Sequence, residues 1–168
     1  MSYDFKNVNV LVVECSTSMF QLIKSVLNML TIPPENIDDS YDPEDAFIKF
    51  RAMKHDLIIT DWLENPDNGI KLTEMIRTRQ DSPNNAVPVI MTAGTGHKNR
   101  VLKARDTGIT DYVVKPFSAK IMADRLANVI EDRRNFVISE NFNGPDRRNK
   151  KRDDYDGPER RNTDNFYI

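Results

Sequence analysis

Short continuous apolar runs alternate along the first 130 or so residues with stripes of apolar residues at three- and four-residue spacing. Residues 8–13 contain Val-Leu-Val-Val, a run too short for a helical core and rich in β-branching, which predicts a strand covered on both faces. Ser16 or Thr17 can then cap a helix, because Met19, Leu22, Ile23, Val26, Leu27 and Leu30 lie along one helical face. Residues 31–34 break that helix, and a weaker strand is predicted over 36–41. Asp42-Pro43 is an N-cap followed by proline at the first helical position, and it leads into Ala46, Phe47 and Phe50. The next strand, 57–60, ends at Asp61. Gly69 opens a third helix carrying Ile70, Leu72, Thr73 and Ile76. A fourth strand is expected at 87–91, and a polar helix over 97–107 stops at Gly108. A short fifth strand at 112–114 precedes Lys115-Pro116-Phe117 and a Ser118-capped helix with Met122, Leu126, Val129 and Ile130 on one face.

Five strand–helix alternations, with crossovers long enough to hold a helix, predict a parallel sheet with helices on both faces. All five strands then run in one direction. Glu14, Asp61, Thr92 and Lys115 each follow directly on the apolar part of a strand, so they fall on one edge of the sheet. In open parallel sheets that edge is the crevice where ligands bind. Asp61 alone could simply cap a turn before Pro66 and Gly69, or act as a nucleophile or metal ligand. Two acids, a hydroxyl and a lysine at four strand ends favour the site, because independent turns would place Gly, Asn and Pro there more readily.

Composition narrows the chemistry. Of 168 residues, 39% are hydrophobic and 30% charged, enough for one compact domain with some chain left over. A formal net charge of -2 gives no general reason to expect nucleic-acid binding. No apolar run reaches membrane-spanning length and no basic-then-apolar segment opens the chain, so the expected location is the cytoplasm, with no membrane partner. One cysteine, Cys15, and two histidines, His55 and His97, exclude a disulfide framework and a zinc ligand set at usual spacings. Cys15 is expected to be a small, semi-buried residue, and both histidines to lie at the surface.

Taken together, Val-Leu-Val-Val at the first strand, Asp-Leu-Ile-Ile-Thr-Asp-Trp at the third, Pro-Val-Ile-Met-Thr-Ala at the fourth and Asp-Tyr-Val-Val-Lys-Pro-Phe at the fifth resemble a bacterial response-regulator receiver domain of CheY-like type. The resemblance runs from Val8 to about Arg133. It implies the α/β flavodoxin-like receiver fold, a doubly wound five-stranded parallel sheet of order 2-1-3-4-5, the strand order of the chemotaxis regulators in that family. It further implies that Asp61 is the phosphoacceptor, served by a sensor histidine kinase or phosphotransfer protein, with Thr92 and Lys115 assisting. Mg²⁺ would be held by Glu14, Asp61 and the backbone carbonyl of Leu63. Thr92 and Tyr112 match the family's switch pair, Trp62 stands beside the acceptor, and the Lys115-Pro116 bond is expected to be cis. One departure stands out. The family has two adjacent acids after the first strand, and this chain has Glu14-Cys15, replacing a hard oxygen ligand by sulfur and weakening the expected Mg²⁺ affinity. The proline of the loop 63–69 also lies one place later than the usual pattern, and Glu64 there could add charge near the pocket.

The domain is expected to span 1–134, followed by an extended or disordered tail, 135–168. The tail holds seven Lys or Arg and seven Asp or Glu, and it contains a repeat: Phe142-Asn143-Gly144-Pro145-Asp146-Arg147-Arg148 recurs as Tyr155-Asp156-Gly157-Pro158-Glu159-Arg160-Arg161. Tails with Gly-Pro-acid-Arg-Arg look like those of alphaproteobacterial single-domain receivers. With no second domain visible, output is expected through contact with a downstream protein at the face of the fourth helix, fifth strand and fifth helix. The rival expectation is a pseudo-receiver adaptor that keeps the fold and works without phosphate. A flavodoxin-like redox or nucleotide-binding protein is disfavoured, since Glu-Cys-Ser follows the first strand where a phosphate-cradling glycine loop would stand.

Overall fold

A computed structural model describes residues 5–62, 67–131, 136–139 and 142–146. Five strands, β1 (Val10–Val13), β2 (Ile37–Ser40), β3 (Leu57–Asp61), β4 (Val89–Ala93) and β5 (Asp111–Val114), form one parallel sheet in the order β2-β1-β3-β4-β5. Between them run α1 (Thr17–Met29), α2 (Pro43–Ala52), α3 (Asn68–Thr78) and α4 (Lys98–Thr107), and α5 (Ala119–Glu131) follows β5. The alternation predicts the parallel sheet with helices on both faces, and the strand order is the flavodoxin-like one that the resemblance implies. A one-turn 3₁₀ segment, Pro34–Asn36, leads into β2.

The strands are apolar throughout because both faces are covered. Side chains alternate along a strand: Leu11, Val13, Ile58, Val89 and Met91 join the core under α2, α3 and α4, while Val10, Val12, Leu57, Ile59, Ile90 and Val113 join the core under α1 and α5. Local signals set the helix ends. The Ser16 hydroxyl accepts the Met19 N–H, and the Asp42 carboxylate accepts those of Glu44 and Asp45, satisfying donors that a helix leaves unpaired at its start. Gly108 ends α4 at φ 98°, a conformation that a β-carbon disfavours. The fourth strand starts two residues later than its apolar pattern suggests. Pro88 has no N–H to give the ladder, its carbonyl accepts Ile58 N–H instead, and the pairing with β3 begins at Val89.

Beyond α5, Phe136–Ser139 (β6) and Phe142–Pro145 (β7) pair as an antiparallel ribbon that lies against α3 and α4. The first repeat of the tail therefore begins in a structured segment on the flank of the domain. Residues 147–168, including the second repeat, lie outside the described residues, as do Leu63 and Glu64.

Candidate functional site

The two-residue period of the strands builds the crevice. Glu14 continues the alternation of Val10 and Val12, Asp61 that of Leu57 and Ile59, Thr92 that of Ile90, and Lys115 that of Val113, so all four belong to the same face at the same edge. Asp61 and Thr92 are direct partners in the β3–β4 register. The geometry follows from that placement. Lys115 Nζ lies 2.9 Å from Asp61 Oδ1 and 2.6 Å from Glu14 Oε2, bridging the two carboxylates. The Thr92 hydroxyl donates to Asp61 Oδ1 across 3.5 Å. Glu14 is buried, and its second oxygen accepts the Ser16 N–H at 2.9 Å. Lys115–Pro116 is cis, as expected.

The charges are matched in favour of an ionised lysine. Burial disfavours the Lys115 ammonium, but the hydrogen bonds and charges of Glu14 and Asp61 outweigh it, and the pKa ends above its ordinary value. Side-chain exposure of 18% for Lys115 and 19% for Asp61, against 3% for Glu14, leaves the lysine and the Asp61 carboxylate reachable from solvent while Glu14 is enclosed.

Cys15 departs from the expected semi-buried setting. It is exposed, with Sγ 3.7 Å from the Tyr41 carbonyl, just beyond the end of β2. Partial desolvation of its sulfur, then the charges of Glu14 and Asp61, raise the thiol pKa, with Lys115 opposing. The expectation for His55 is likewise corrected. It is buried at the foot of β3, where the Phe50 ring stacks on it and Asp38 Oδ2 meets Nε2 at 2.9 Å. His97 is exposed, as expected.

Trp62, next to Asp61, is buried. Its indole N–H donates to Asp67 Oδ1 at 2.8 Å, Asp67 also pairs with Lys103 of α4, and the Arg100 guanidinium of α4 stands 5.0 Å from the indole centre. The end of β3 is thereby tied to α4 by Asp67, Arg100 and Lys103. The sequence carries no signal for this cluster, since Asp67 and Lys103 are 36 positions apart and either reads as a solvated charge. Tyr112 is half-buried and donates its hydroxyl to the Thr95 carbonyl at 2.7 Å, on the loop just after Thr92.

Whether these residues suit a divalent cation turns on hard oxygen donors. Asp61 and Glu14 direct one oxygen each toward the position held by Lys115 Nζ, Cys15 offers only a thiol, and among the described residues no three His, Cys, Asp or Glu converge on a metal position. Mg²⁺ commonly takes one or two carboxylates and completes its shell with water and phosphate, so the pair fits it, with one fewer carboxylate than an adjacent acid pair would give.

Comparison with known proteins bears on the family and the fold. The response regulator receiver domain family matches residues 10–127. The chain is 31% identical over 124 residues to chemotaxis protein CheY1 of Helicobacter pylori, covering 73% of this chain and 97% of that protein. Against chemotaxis protein CheY-3 of Vibrio cholerae it is 26% identical over 126 residues, 75% of this chain and 94% of that one. Its fold superposes on Vibrio cholerae chemotaxis protein CheY4 with a TM-score of 0.64 at 21% identity, covering 73% and 98% of the two chains. A Thermotoga maritima response regulator gives 0.61 at 22% identity, covering 74% and 98%. With Asp61, Thr92 and Lys115 gathered at the end of the sheet in the fold those relatives share, the chain belongs to the response-regulator receiver family.

Proposed function

We propose that this receiver takes a phosphoryl group on Asp61 from a sensor histidine kinase or phosphotransfer protein in the cytoplasm, and signals through contact with a downstream protein. The observation that carries the reading is the position of Asp61 Oδ1, which receives Lys115 Nζ at 2.9 Å and the Thr92 hydroxyl at 3.5 Å at the carboxyl edge of the sheet. Phosphoryl transfer asks little covalent work of a protein beyond alignment and charge neutralisation. An Asp61 oxygen attacks phosphorus, the phosphorus–nitrogen bond of the donor phosphohistidine breaks, and its electron pair leaves with the imidazole. Lys115, freed from part of its bond to Asp61, neutralises a phosphoryl oxygen. The Thr92 hydroxyl donates to another. Asp61 and Glu14 would hold Mg²⁺, which supplies charge neutralisation to the phosphoryl group when bound.

The consequence at the surface runs through Tyr112. If Thr92 is drawn toward a phosphoryl oxygen, space opens beside it, and the Tyr112 ring, held by its hydroxyl bond to Thr95, can move into it. This biases the face of α4, β5 and α5. A beryllofluoride adduct tests the scheme by amide chemical shifts. Shifts reaching Thr95, Tyr112 and α4 are expected; shifts confined to the immediate neighbours of Asp61 would remove the switch. A second reading, a pseudo-receiver adaptor working without phosphate, is favoured by one observation: both Glu14 oxygens are already engaged, and the residue that follows Glu14 is a cysteine rather than a further acid. Failure of any adduct to form at Asp61 would support it.

A further inference from the structure

Outside the crevice, Arg77 on α3 has the most unusual surroundings. It is 2% exposed and gives its donors to backbone carbonyls, Nε to Gly108 O at 2.9 Å and Nη1 to Asn85 O at 2.8 Å. Nη2 is buried with no hydrogen-bond partner among the described residues. Burial lowers its pKa to about 10, with no carboxylate among the described residues acting against it. A buried guanidinium lacking an acid is a costly arrangement.

The segment seated over Arg77 carries the complementary defect. Asn143 donates Nδ2 to Arg77 O across 3.4 Å, while its Oδ1 is a buried acceptor with no partner among the described residues. The remainder of the seat is shape. A β-carbon on Gly108 would stand 2.1 Å from Asn143 O, and one on Gly144 would stand 2.7 Å from Gly108 Cα. The Phe136 ring lies 5.3 Å from Arg77 Cζ, and Phe142 and Pro145 share with Tyr112 the lining of a cavity of about 250 Å³. The seat thus accepts an aromatic residue, a polar side chain over Arg77, a glycine and a proline. The chain carries that order twice. In the second copy, Tyr155-Asp156-Gly157-Pro158, the position matching Asn143 holds an aspartate.

We infer that the seat at Arg77 and Gly108 is an exchange site for the two repeat copies of one chain, with Asp156 bringing the carboxylate that Arg77 lacks. Two opposing effects keep the exchange near balance. A carboxylate on a buried guanidinium is favoured over an amide by roughly tenfold or more, even though it cannot replace the Asn143 Nδ2 donation to Arg77 O. Against this, the loop between β6 and the seated segment grows from two residues, 140 and 141, to fifteen, 140 to 154, which costs roughly twentyfold in closure. Tethering favours the copy of the same chain over that of another molecule. Tyr112 lines the same cavity as Phe142 and Pro145, at the edge of the seat.

Amide signals of Gly108, Gly144 and Gly157 in the full chain report the seat and each copy. Phe142→Ala weakens the first copy. It should leave Gly108 at its seated position while Gly157 shifts, and the double variant Phe142→Ala/Tyr155→Ala should move Gly108 to the position of an empty seat. Adding Asp156→Asn to Phe142→Ala should lower the ratio of seated to empty signal roughly tenfold. Three results would overturn the inference: Phe142→Ala alone placing Gly108 where the double variant does, no effect of Asp156→Asn, or a seated signal that depends on protein concentration and so arises from a second molecule.

Discussion

Gly69 offers a direct way to displace Asp61, the proposed acceptor, without altering its side chain. It sits in the first turn of α3, donates its N–H to Trp62 O at 2.9 Å, and accepts the Thr73 hydroxyl at 2.8 Å. A β-carbon built there would lie 2.2 Å from the Asp61 backbone oxygen and 3.1 Å from that of Trp62. Ordinary contacts begin near 3.4 Å, so Gly69→Ala must drive the end of β3 and the start of α3 apart by about 1 Å. Overpacking of this kind costs about 1–3 kcal/mol, or a fall in Tm on the order of 3–15 °C. The effect on chemistry is separate. A misplacement of about 1 Å in an aligned reacting group costs on the order of a hundredfold in rate. The expected outcome is therefore a folded protein whose phosphorylation by acetyl phosphate, followed by Trp62 fluorescence, is about two orders of magnitude slower. A loss of stability with an unchanged rate would refute the idea that Gly69 sets the acceptor's position, and no change in either would refute the close approach itself.

Two further predictions probe the altered edge of the pocket. Cys15→Asp adds an oxygen ligand beside Glu14 and Asp61 and should tighten Mg²⁺ binding, read from Trp62 fluorescence, and lower the Mg²⁺ needed for phosphorylation; unchanged or weaker binding would show that position 15 faces away from the metal. The Cys15 thiol, raised by partial desolvation and by the charges of Glu14 and Asp61, should reach its half-maximal alkylation rate at a pH above that of an ordinary cysteine. Asp61→Asn removes one of the raising charges, so its alkylation profile should move to lower pH, and a profile that stays in place would mean that the acceptor charge does not reach the thiol.

Much of this architecture was legible in the sequence because it rests on local signals. Val10–Val13 and Leu57–Ile59 announce strands buried on both faces, Ser16 and Asp42 mark helix starts, and the period of the strands carries Glu14, Asp61, Thr92 and Lys115 to one edge. What escaped depends on contacts between distant residues. Nothing local distinguishes His55, enclosed by Phe50 and Asp38, from a surface histidine, and nothing links Asp67 to Lys103 across 36 positions. The tail is a different case. Its charged composition hid the short apolar run Phe136-Val137-Ile138, which pairs as β6 and brings the first repeat onto Arg77 and Gly108. The second repeat lies outside the described residues, and its role rests on the match of residue classes and on the buried charge it would meet.

The most direct test of the receiver reading is the intact mass of the wild type and of Asp61→Asn after incubation with acetyl phosphate and Mg²⁺. The account predicts one added phosphoryl group on the wild type, removed by hydroxylamine as an acyl phosphate should be, and none on Asp61→Asn. A wild type that stays unmodified across all practical Mg²⁺ concentrations, or an Asp61→Asn variant that is labelled to the same extent, would contradict it.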